Sequence, residues 1–291
     1  MFKYQIHKLS RGGTESRSVL LEDILTSDVF GLMTYTPYEL LLKPFLENIT
    51  KKNPSAHFQP PNSSPVHVNF WPACPWPLHV PKLKRDSIEP DVMIEWDDCL
   101  LIVEAKYLSA TDPEELLREF LVGYCLTQGN IKTLILLIDR NLSQPVVCHS
   151  KTDSKVTITD YIKRRLKELG LSQSACYSAI DSAFLWINWQ TFYSMALTIV
   201  EEQAAGDCTP EGRLSINLIL DLLYVLERKG LVPYETLDLG HLARHQVQIE
   251  TLGNLGRPIQ GSLADFSDVS LRIESLGDLG ITPEGNYFIG L

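Results

Sequence analysis

The sequence predicts an α/β fold in which residues 15–138 form a core of helices and strands. Two apolar, β-favouring runs flank Asp97-Asp98 and predict a two-stranded hairpin over residues 89–107. Apolar residues at helical spacing precede this hairpin, and a capped helix and an apolar strand follow it. We therefore expect a core of helix, three strands, helix and strand, in an antiparallel or mixed sheet, with a mainly helical C-terminal extension.

The predicted hairpin brings three charged side chains to one face of the sheet. If the turn is centred on Asp97-Asp98, Asp91 lies directly across from Glu104, with Cβ atoms about 5 Å apart. Lys106 is two residues beyond Glu104 and points to the same side. Two carboxylates in a partly dry site repel each other unless one takes a proton or both hold a cation. A hard divalent ion such as Mg²⁺ meets that demand, and Lys106 can orient water or stabilise charge on a phosphate.

The opposite face of the hairpin is apolar and is predicted to be buried. The charged face begins with Met93 and Ile102 and becomes ionic only at its open end. The apolar face consists of Val92, Ile94, Trp96, Leu101, Val103 and Ala105.

The charged residues of the hairpin also form a recognisable pattern. Pro90-Asp91, a spacer and then Glu104-Ala105-Lys106 at the end of an apolar run resemble the PD-(D/E)XK nuclease superfamily, which has the restriction-endonuclease-like fold. The resemblance implies that Asp91 and Glu104 ligate Mg²⁺, with Mn²⁺ as a substitute, and that Lys106 positions or activates the attacking water. It also implies the backbone carbonyl of Ala105 as a ligand. The resemblance is sharp over residues 88–107 and does not cover the C-terminal third.

The acid-x-Lys tripeptide is weakly specific by itself. It also occurs at residues 153–155 and 227–229, and neither copy ends an apolar strand. The alternative interpretation is a hairpin whose open end carries solvated charges, with Lys106 paired to Glu104 or Glu89. Such surface pairs are common and stabilise a fold by only about 0–1 kcal/mol.

Two helices are predicted before the hairpin, from about Glu15 to Met33 and from Pro37 to Ile49. Related nucleases carry an extra acid on the first helix, so the resemblance implies Glu22 as a further metal ligand. Glu39 on the second helix is the rival. A surface acid on an amphipathic helix is the plainer explanation of either residue.

Residues 53–90 are predicted to form an irregular insertion, because nine of the seventeen prolines fall between Pro54 and Pro90. One strand is expected within it, at Val66 to Trp71. A zinc site built from His67, Cys74 and His79 has the spacing of no known finger and lacks a fourth ligand.

The helix after the hairpin starts at Asp112-Pro113 and is expected to run to Thr127, followed by a buried strand over 131–138. In the superfamily this helix supplies a polar residue near the metal or the phosphate. The candidates are Arg118, Glu119 and Gln128.

Four further elements are predicted beyond residue 150, with a division of the chain at residue 205. They are a basic helix over 159–169, a strand over 183–189 continuing into a helix over 190–203, and a helix over 214–229. Residues 1–205 would be the nuclease-like domain, and residues 206–291 a helical extension and a tail. Seven of the seventeen glycines lie in the last 41 residues.

Candidate DNA contacts are basic residues close to the hairpin. They are Lys82, Lys84, Arg85 and Arg118. A second basic group, on the helix over 159–169, is better explained as a solvated face. The formal net charge of −10 argues against a protein that coats nucleic acid, although a nuclease needs only a local basic surface.

Composition predicts a soluble protein of the reducing cytoplasm. The first fourteen residues contain no apolar block, and the six cysteines are scattered without a Cys-x-x-Cys pair. We therefore expect no membrane partner.

The sequence thus predicts a Mg²⁺-dependent DNA nuclease that cleaves phosphodiester bonds by in-line attack of metal-activated water. Foreign-DNA defence or repair would suit such an enzyme by analogy, and a homodimer is one arrangement that cuts both strands. The alternative is an inactive descendant of the same fold that binds nucleic acid or a protein. A small-molecule phosphohydrolase is less favoured, because no phosphate-cradling loop is present.

Overall fold

A mixed five-stranded sheet organises the fold, which is α/β. The computed structural model describes residues 17–62, 65–77, 80, 87–141, 143, 146–148, 155–204 and 210–233, and all of these belong to one compact unit. The strands are β1 (His67–Phe70), β2 (Cys74–Pro75), β3 (Ser87–Ile88), β4 (Val92–Trp96), β5 (Cys99–Ala105), β6 (Lys132–Asp139), β7 (Val146–Cys148), β8 (Lys155–Thr157) and β9 (Phe184–Asn188).

The helices lie before, between and after these strands. They are α1 (Arg17–Tyr35), α2 (Leu42–Lys52), α3 (Pro113–Leu126), α4 (Ile158–Glu168), α5 (Ala175–Ala179), α6 (Trp189–Ala204) and α7 (Pro210–Arg228). Short 3-10 turns cover Pro54–Ala56 and Ile180–Ser182. Among the described residues, no helix combines the length and the apolar character needed to cross a bilayer.

The sheet has the order β1-β4-β5-β6-β9. β1 pairs antiparallel with β4, and β4 pairs antiparallel with β5. β5, β6 and β9 are parallel, so α3 connects β5 to β6 and α4 and α5 lie between β6 and β9. Because the carboxyl ends of parallel strands meet at one edge, the residues just after β5, β6 and β9 are neighbours.

The predicted hairpin register is confirmed. Val92 pairs with Val103 and Trp96 pairs with Cys99, which puts Asp91 opposite Glu104 in the continuing register. Asp97 and Asp98 form the two-residue turn and are exposed. Exposed acids at the turn and buried apolar residues along both strands explain why the chain folds back at this point.

Helices cover both faces of the sheet, so β5 is buried along its whole length. On one face, alternate strand residues such as Val92, Val103 and Leu136 pack against α1, α2, α6 and α7. On the other face, Ile102 and Leu137 pack against α3 and α4. The charged end of the hairpin therefore lies under α3 and is not a solvated sheet face.

Gly123 allows α3 to approach the sheet closely. A Cβ at this position would lie 2.6 Å from Ile102 Cδ1 and 2.9 Å from Thr133 Cγ2, which is closer than carbon atoms pack. The N-terminal turns of the same helix are thereby held near the end of β5, where the predicted site lies.

The predicted elements are found with shifted ends. The second helix begins at Leu42 and not at Pro37, because Leu40 donates its N–H to the carbonyl of Pro37 and the chain makes turns before the helix starts. β1 and α3 match their predicted ranges to within one residue at each end.

α7 lies in the region that the sequence assigned to a C-terminal extension. Its residues Ile219, Leu222 and Leu226 belong to the same apolar cluster as α1 and α6. The division at residue 205 stays a prediction, and the glycine-rich tail lies outside the described residues.

Candidate functional site

The open end of the β4–β5 hairpin brings Asp91, Glu104 and Lys106 together. Asp91 Oδ2 accepts a hydrogen bond from the backbone N–H of Ala105 at 2.9 Å. Lys106 Nζ forms an ion pair with Glu104. Glu104 and Lys106 are only 5% and 9% exposed, whereas Asp91 is partly exposed. The group is therefore a largely buried cluster of opposite charges.

The backbone of Lys106 is held from two sides. Its N–H donates to the carbonyl of Ile138 on β6 at 2.7 Å, and its carbonyl accepts from Trp189 Nε1 on α6 at 2.9 Å. Trp189 is itself 1% exposed. Because both partners lie on packed elements, the position of the lysine is fixed by the core as well as by its charge.

Helix α3 adds two acids, Glu115 and Glu119, which are four residues apart and so face the same side. Glu115 Oε2 lies 3.0 Å from Lys106 Nζ. Glu119 is 3% exposed, and its Oε2 has no hydrogen-bond partner among the described residues. Glu119 was one of three candidates on this helix, whereas Glu115 was missed. The N-cap of Asp112 sets the start of the helix, but nothing local shows which of its faces meets the site.

The acids of the site resist ionisation. Burial of its carboxyl group, together with the charges of Asp23 and Glu119, raises the pKa of Asp91 to about 7, although the Ala105 N–H and Lys106 oppose the rise. Burial and neighbouring carboxylates also raise the pKa of Glu104 and of Glu119 well above the usual range.

Lys106 stays charged in this setting. Burial alone would lower its pKa, but the carboxylates of Glu104 and Glu115 outweigh burial and raise it. One ammonium group cannot neutralise Asp91, Glu104 and Glu119 at once. The cluster therefore has an excess of negative charge that protons or a second cation must balance.

The donor set suits a hard divalent cation. Asp91, Glu104 and Glu119 offer carboxylate oxygens only, which is the ligand type that Mg²⁺ prefers, and Glu119 Oε2 is buried without a partner among the described residues. Among those residues, no group of three or more His, Cys, Asp or Glu side chains has the arrangement of a formed metal site. Mg²⁺ or Mn²⁺, and the backbone carbonyl of Ala105 as a ligand, stay predictions.

Glu22 on α1 has a different environment from the one predicted. Its Oε1 accepts hydrogen bonds from the consecutive N–H groups of Tyr107, Leu108 and Ser109 at 3.0, 2.9 and 2.7 Å. Its Oε2 accepts from Ser109 Oγ at 2.9 Å. Both oxygens are thus engaged in fastening the segment that follows Lys106. Glu22, which the resemblance implied as a metal ligand, is instead a clamp on the site loop, residues 107–109.

Three other predicted residues have environments that differ from the predictions. Glu39 pairs with Lys43 on the surface, with its side chain 58% exposed. Gln128 is exposed beyond the C-terminal end of α3, whereas the site lies at the other end of that helix. Arg118, a predicted DNA contact, is 8% exposed and lies 3.7 Å from Asp112 Oδ2. Its guanidinium is therefore not presented to solvent as a phosphate contact would be.

The predicted basic surfaces divide into two cases. Lys82, Lys84 and Arg85 lie outside the described residues. On α4, Lys163 pairs with Asp181, Arg165 pairs with Glu114 and Glu168, Arg164 lies 3.9 Å from Glu168, and Lys167 lies over the Tyr177 ring. Since acids or an aromatic ring already engage these cations, the interpretation as an ordinary solvated face is favoured.

The zinc alternative gains no support from the described residues. Cys74 is buried, with its sulfur 3.7 Å from that of Met93, whereas His67 is exposed on β1. His79 lies outside the described residues. The thiols of Cys74, Cys99, Cys125 and Cys176 are free.

Comparisons with known proteins supply no relative. No family model matches the chain, no curated protein matches it, and no solved structure matches it. The chemistry of the site must therefore be argued from its own residues.

Proposed function

We propose that this chain is a metal-dependent nuclease of the PD-(D/E)XK type that hydrolyses phosphodiester bonds in DNA. The observation that carries the proposal is the hairpin register, which sets Asp91 opposite Glu104 with Lys106 on the same face. The order of antiparallel β1, β4 and β5 followed by α3 and parallel β6 supports the restriction-endonuclease-like fold.

Asp91, Glu104 and Glu119 would hold the metal ion, which when bound would polarise the phosphate and make water a stronger nucleophile. The raised pKa values of these acids support this assignment, because a dense group of buried carboxylates is unfavourable unless a cation is present. Lys106 would orient the attacking water and balance charge that develops on the phosphate.

Lys106→Ala is the direct test of the proposal. Cleavage of linear, circular and single-stranded DNA by the purified full chain is measured with Mg²⁺ and with EDTA. We expect Mg²⁺-dependent cleavage that falls about 100-fold or more in the variant, because a preorganised charge near the reacting phosphate is lost. Lys51→Ala, which removes an exposed lysine on α2, is the matched control. Equal cleavage by Lys106→Ala, with its fold intact by circular dichroism, would remove the assignment.

A second function is favoured by one observation. Lys106 already engages both Glu104 and Glu115, so part of the negative charge is neutralised within the chain. A non-catalytic descendant that binds nucleic acid or a protein would keep such an internal ion pair.

Calorimetry with Mg²⁺ or Mn²⁺ separates the two functions. A nuclease site binds the ion, and Asp91→Asn weakens that binding, whereas Asp97→Asn at the exposed turn of the same hairpin leaves it unchanged. Absence of ion binding, with no cleavage, would favour the non-catalytic alternative.

A further inference from the structure

Tyr107, directly after Lys106, lies beside two cations from distant parts of the chain. The guanidinium carbon of Arg140 lies 5.9 Å from the centroid of the Tyr107 ring, and Lys229 Nζ lies 5.6 Å from it. Arg140 follows the last residue of β6, and Lys229 follows the end of α7. The fold thus gathers two positive charges around one ring, which belongs to the residue that directly follows Lys106.

The arrangement is held in place by several contacts. Tyr107 Oη donates a hydrogen bond to the backbone carbonyl of Lys229 at 3.0 Å, so the ring is fastened to the residue whose ammonium group lies near it. Glu22 on α1 accepts a hydrogen bond from the backbone N–H of Tyr107. The ring is therefore a built part of this edge of the fold.

Neither cation has an ion pair among the described residues. Arg140 is exposed and lies over the Tyr107 ring, whereas Lys229 is partly buried. Burial lowers the pKa of Lys229, and the charge of Asp28 only partly opposes this. A partly desolvated ammonium without a close counter-charge gains from an incoming anion.

The proposed substrate needs cations at this edge. Five acids surround the candidate site, namely Asp23, Asp91, Glu104, Glu115 and Glu119. Those that are ionised repel a phosphodiester chain, and the cations of α4 are already engaged by acids or by a ring. A backbone that reaches the site must be attracted by positive charge close to it.

We infer that Tyr107, Arg140 and Lys229 form a phosphate-binding subsite that holds the sugar-phosphate backbone of DNA beside the acidic cluster. This inference rests on the proposed nuclease function and extends it by naming the residues that bind the substrate backbone. Arg140 and Lys229 contact phosphates, and Tyr107 positions both cations. Such contacts bind without regard to base sequence.

The test measures binding separately from cleavage. Fluorescence anisotropy of a short fluorescein-labelled DNA, single-stranded and duplex, is recorded against full-length protein in EDTA over a range of salt concentrations. Arg140→Gln and Lys229→Gln should each weaken DNA binding about tenfold at low salt. Each should also reduce the steepness of the plot of log binding constant against log salt concentration by about 0.7–0.9. The double variant should lose both contributions.

Matched controls remove the same charges elsewhere. Arg213→Gln lies near the opposite end of α7, and Lys51→Gln lies on α2; both residues are exposed. Arg140→Glu adds a negative charge that repels phosphate, so it should weaken binding more than Arg140→Gln. Because Arg140 is exposed, the substitution is not expected to disturb the fold. If both Arg140 variants bind DNA like Arg213→Gln, the subsite is ruled out.

The design also separates the subsite from the function on which it rests. If DNA binding depends on Arg140 but the wild-type protein does not cleave DNA, the subsite is supported and the nuclease function is overturned. If wild type cleaves DNA and Arg140→Gln has an unchanged KM, the nuclease function is supported and the subsite is overturned. Displacement of the DNA by inorganic phosphate at an equal concentration of phosphate groups would indicate a free-phosphate site and overturn a backbone contact.

Discussion

The two ends of the β4–β5 hairpin carry similar residues in opposite environments. At the turn, Asp97 and Asp98 are exposed. Nearby, Lys132 Nζ donates hydrogen bonds to the backbone carbonyls of Ala56 and His57. At the open end, Asp91 and Glu104 lie beside Lys106 under helix α3. Each end has two acids and one lysine, yet only the open end crowds buried carboxylates together.

The difference shows that burial, and not composition, determines how unfavourable it is to ionise an acid at each end. At the turn, a cavity of about 280 Å³ lined in part by Asp98, Cys99 and Lys132 gives access to solvent, and the lysine is satisfied by carbonyls. At the open end, α3 packs over the sheet, Glu104 is buried, and the helix adds Glu115 and Glu119. Acids cost little where water solvates them and much where it cannot, so only the second group calls for a bound cation.

Removing an acid at the open end should have the largest effect. Glu104→Gln should reduce Mg²⁺-dependent DNA cleavage about 100-fold or more, because one member of the proposed ligand set is lost. Glu95→Gln changes an exposed acid on the neighbouring strand and should alter the rate less than about twofold. Similar rates in both variants would mean that the two environments do not differ in chemistry.

The clamp on the site loop can be broken next. Glu22→Ala leaves three consecutive N–H groups without their charged acceptor, so the free energy of unfolding should fall by about 2–3 kcal/mol. Cleavage should fall with it, because Lys106 precedes the released segment. Glu39→Ala, which breaks an exposed pair with Lys43, should change stability by less than about 0.5 kcal/mol in urea unfolding. An effect of Glu22→Ala no larger than that would refute the clamp.

Close packing of α3 is tested by a pair of glycines. Gly123→Ala should destabilise the protein by about 1–3 kcal/mol, because the added methyl would meet Ile102 and Thr133 and push the helix off the sheet. Gly31→Ala is the control, since a Cβ added at Gly31 would have no atom within 4 Å, and it should stabilise α1 by about 0.5–1 kcal/mol. Thermal unfolding of both variants measures the contrast, and effects of the same sign would contradict it.

The smallest expected effect is a gain in stability. Because the folded state raises the pKa of Glu119, the ionised acid costs stability as pH rises above its unfolded pKa of about 4.3. Glu119→Gln removes that cost, so in EDTA its Tm should exceed that of wild type by about 3 °C near neutral pH and by less in acid. Added Mg²⁺ should stabilise wild type more than the variant. A Tm of Glu119→Gln below that of wild type in EDTA would show that ionised Glu119 does not destabilise the fold.

Several features could be predicted from local sequence. The register of Asp91 opposite Glu104 follows from two apolar runs around a polar turn, because strand residues alternate faces with a period of two. The start of α3 follows from Asp112, whose side chain accepts from the Glu114 N–H at 2.9 Å. The beginning of α2 could not be predicted, since Pro37 suits a turn and a first helical position equally well.

Local sequence alone determined the hairpin, the pairing of its two acids and the side on which Lys106 lies, since these depend on residues close together in the chain. Tertiary structure decided the rest. It brought Glu115 and Glu119 from α3 into the site, turned Glu22 from a predicted ligand into a clamp, and set Arg140 and Lys229 around Tyr107. These contacts join residues far apart in sequence, and their energies depend on burial and on neighbouring charge, which a strand or helix pattern does not record.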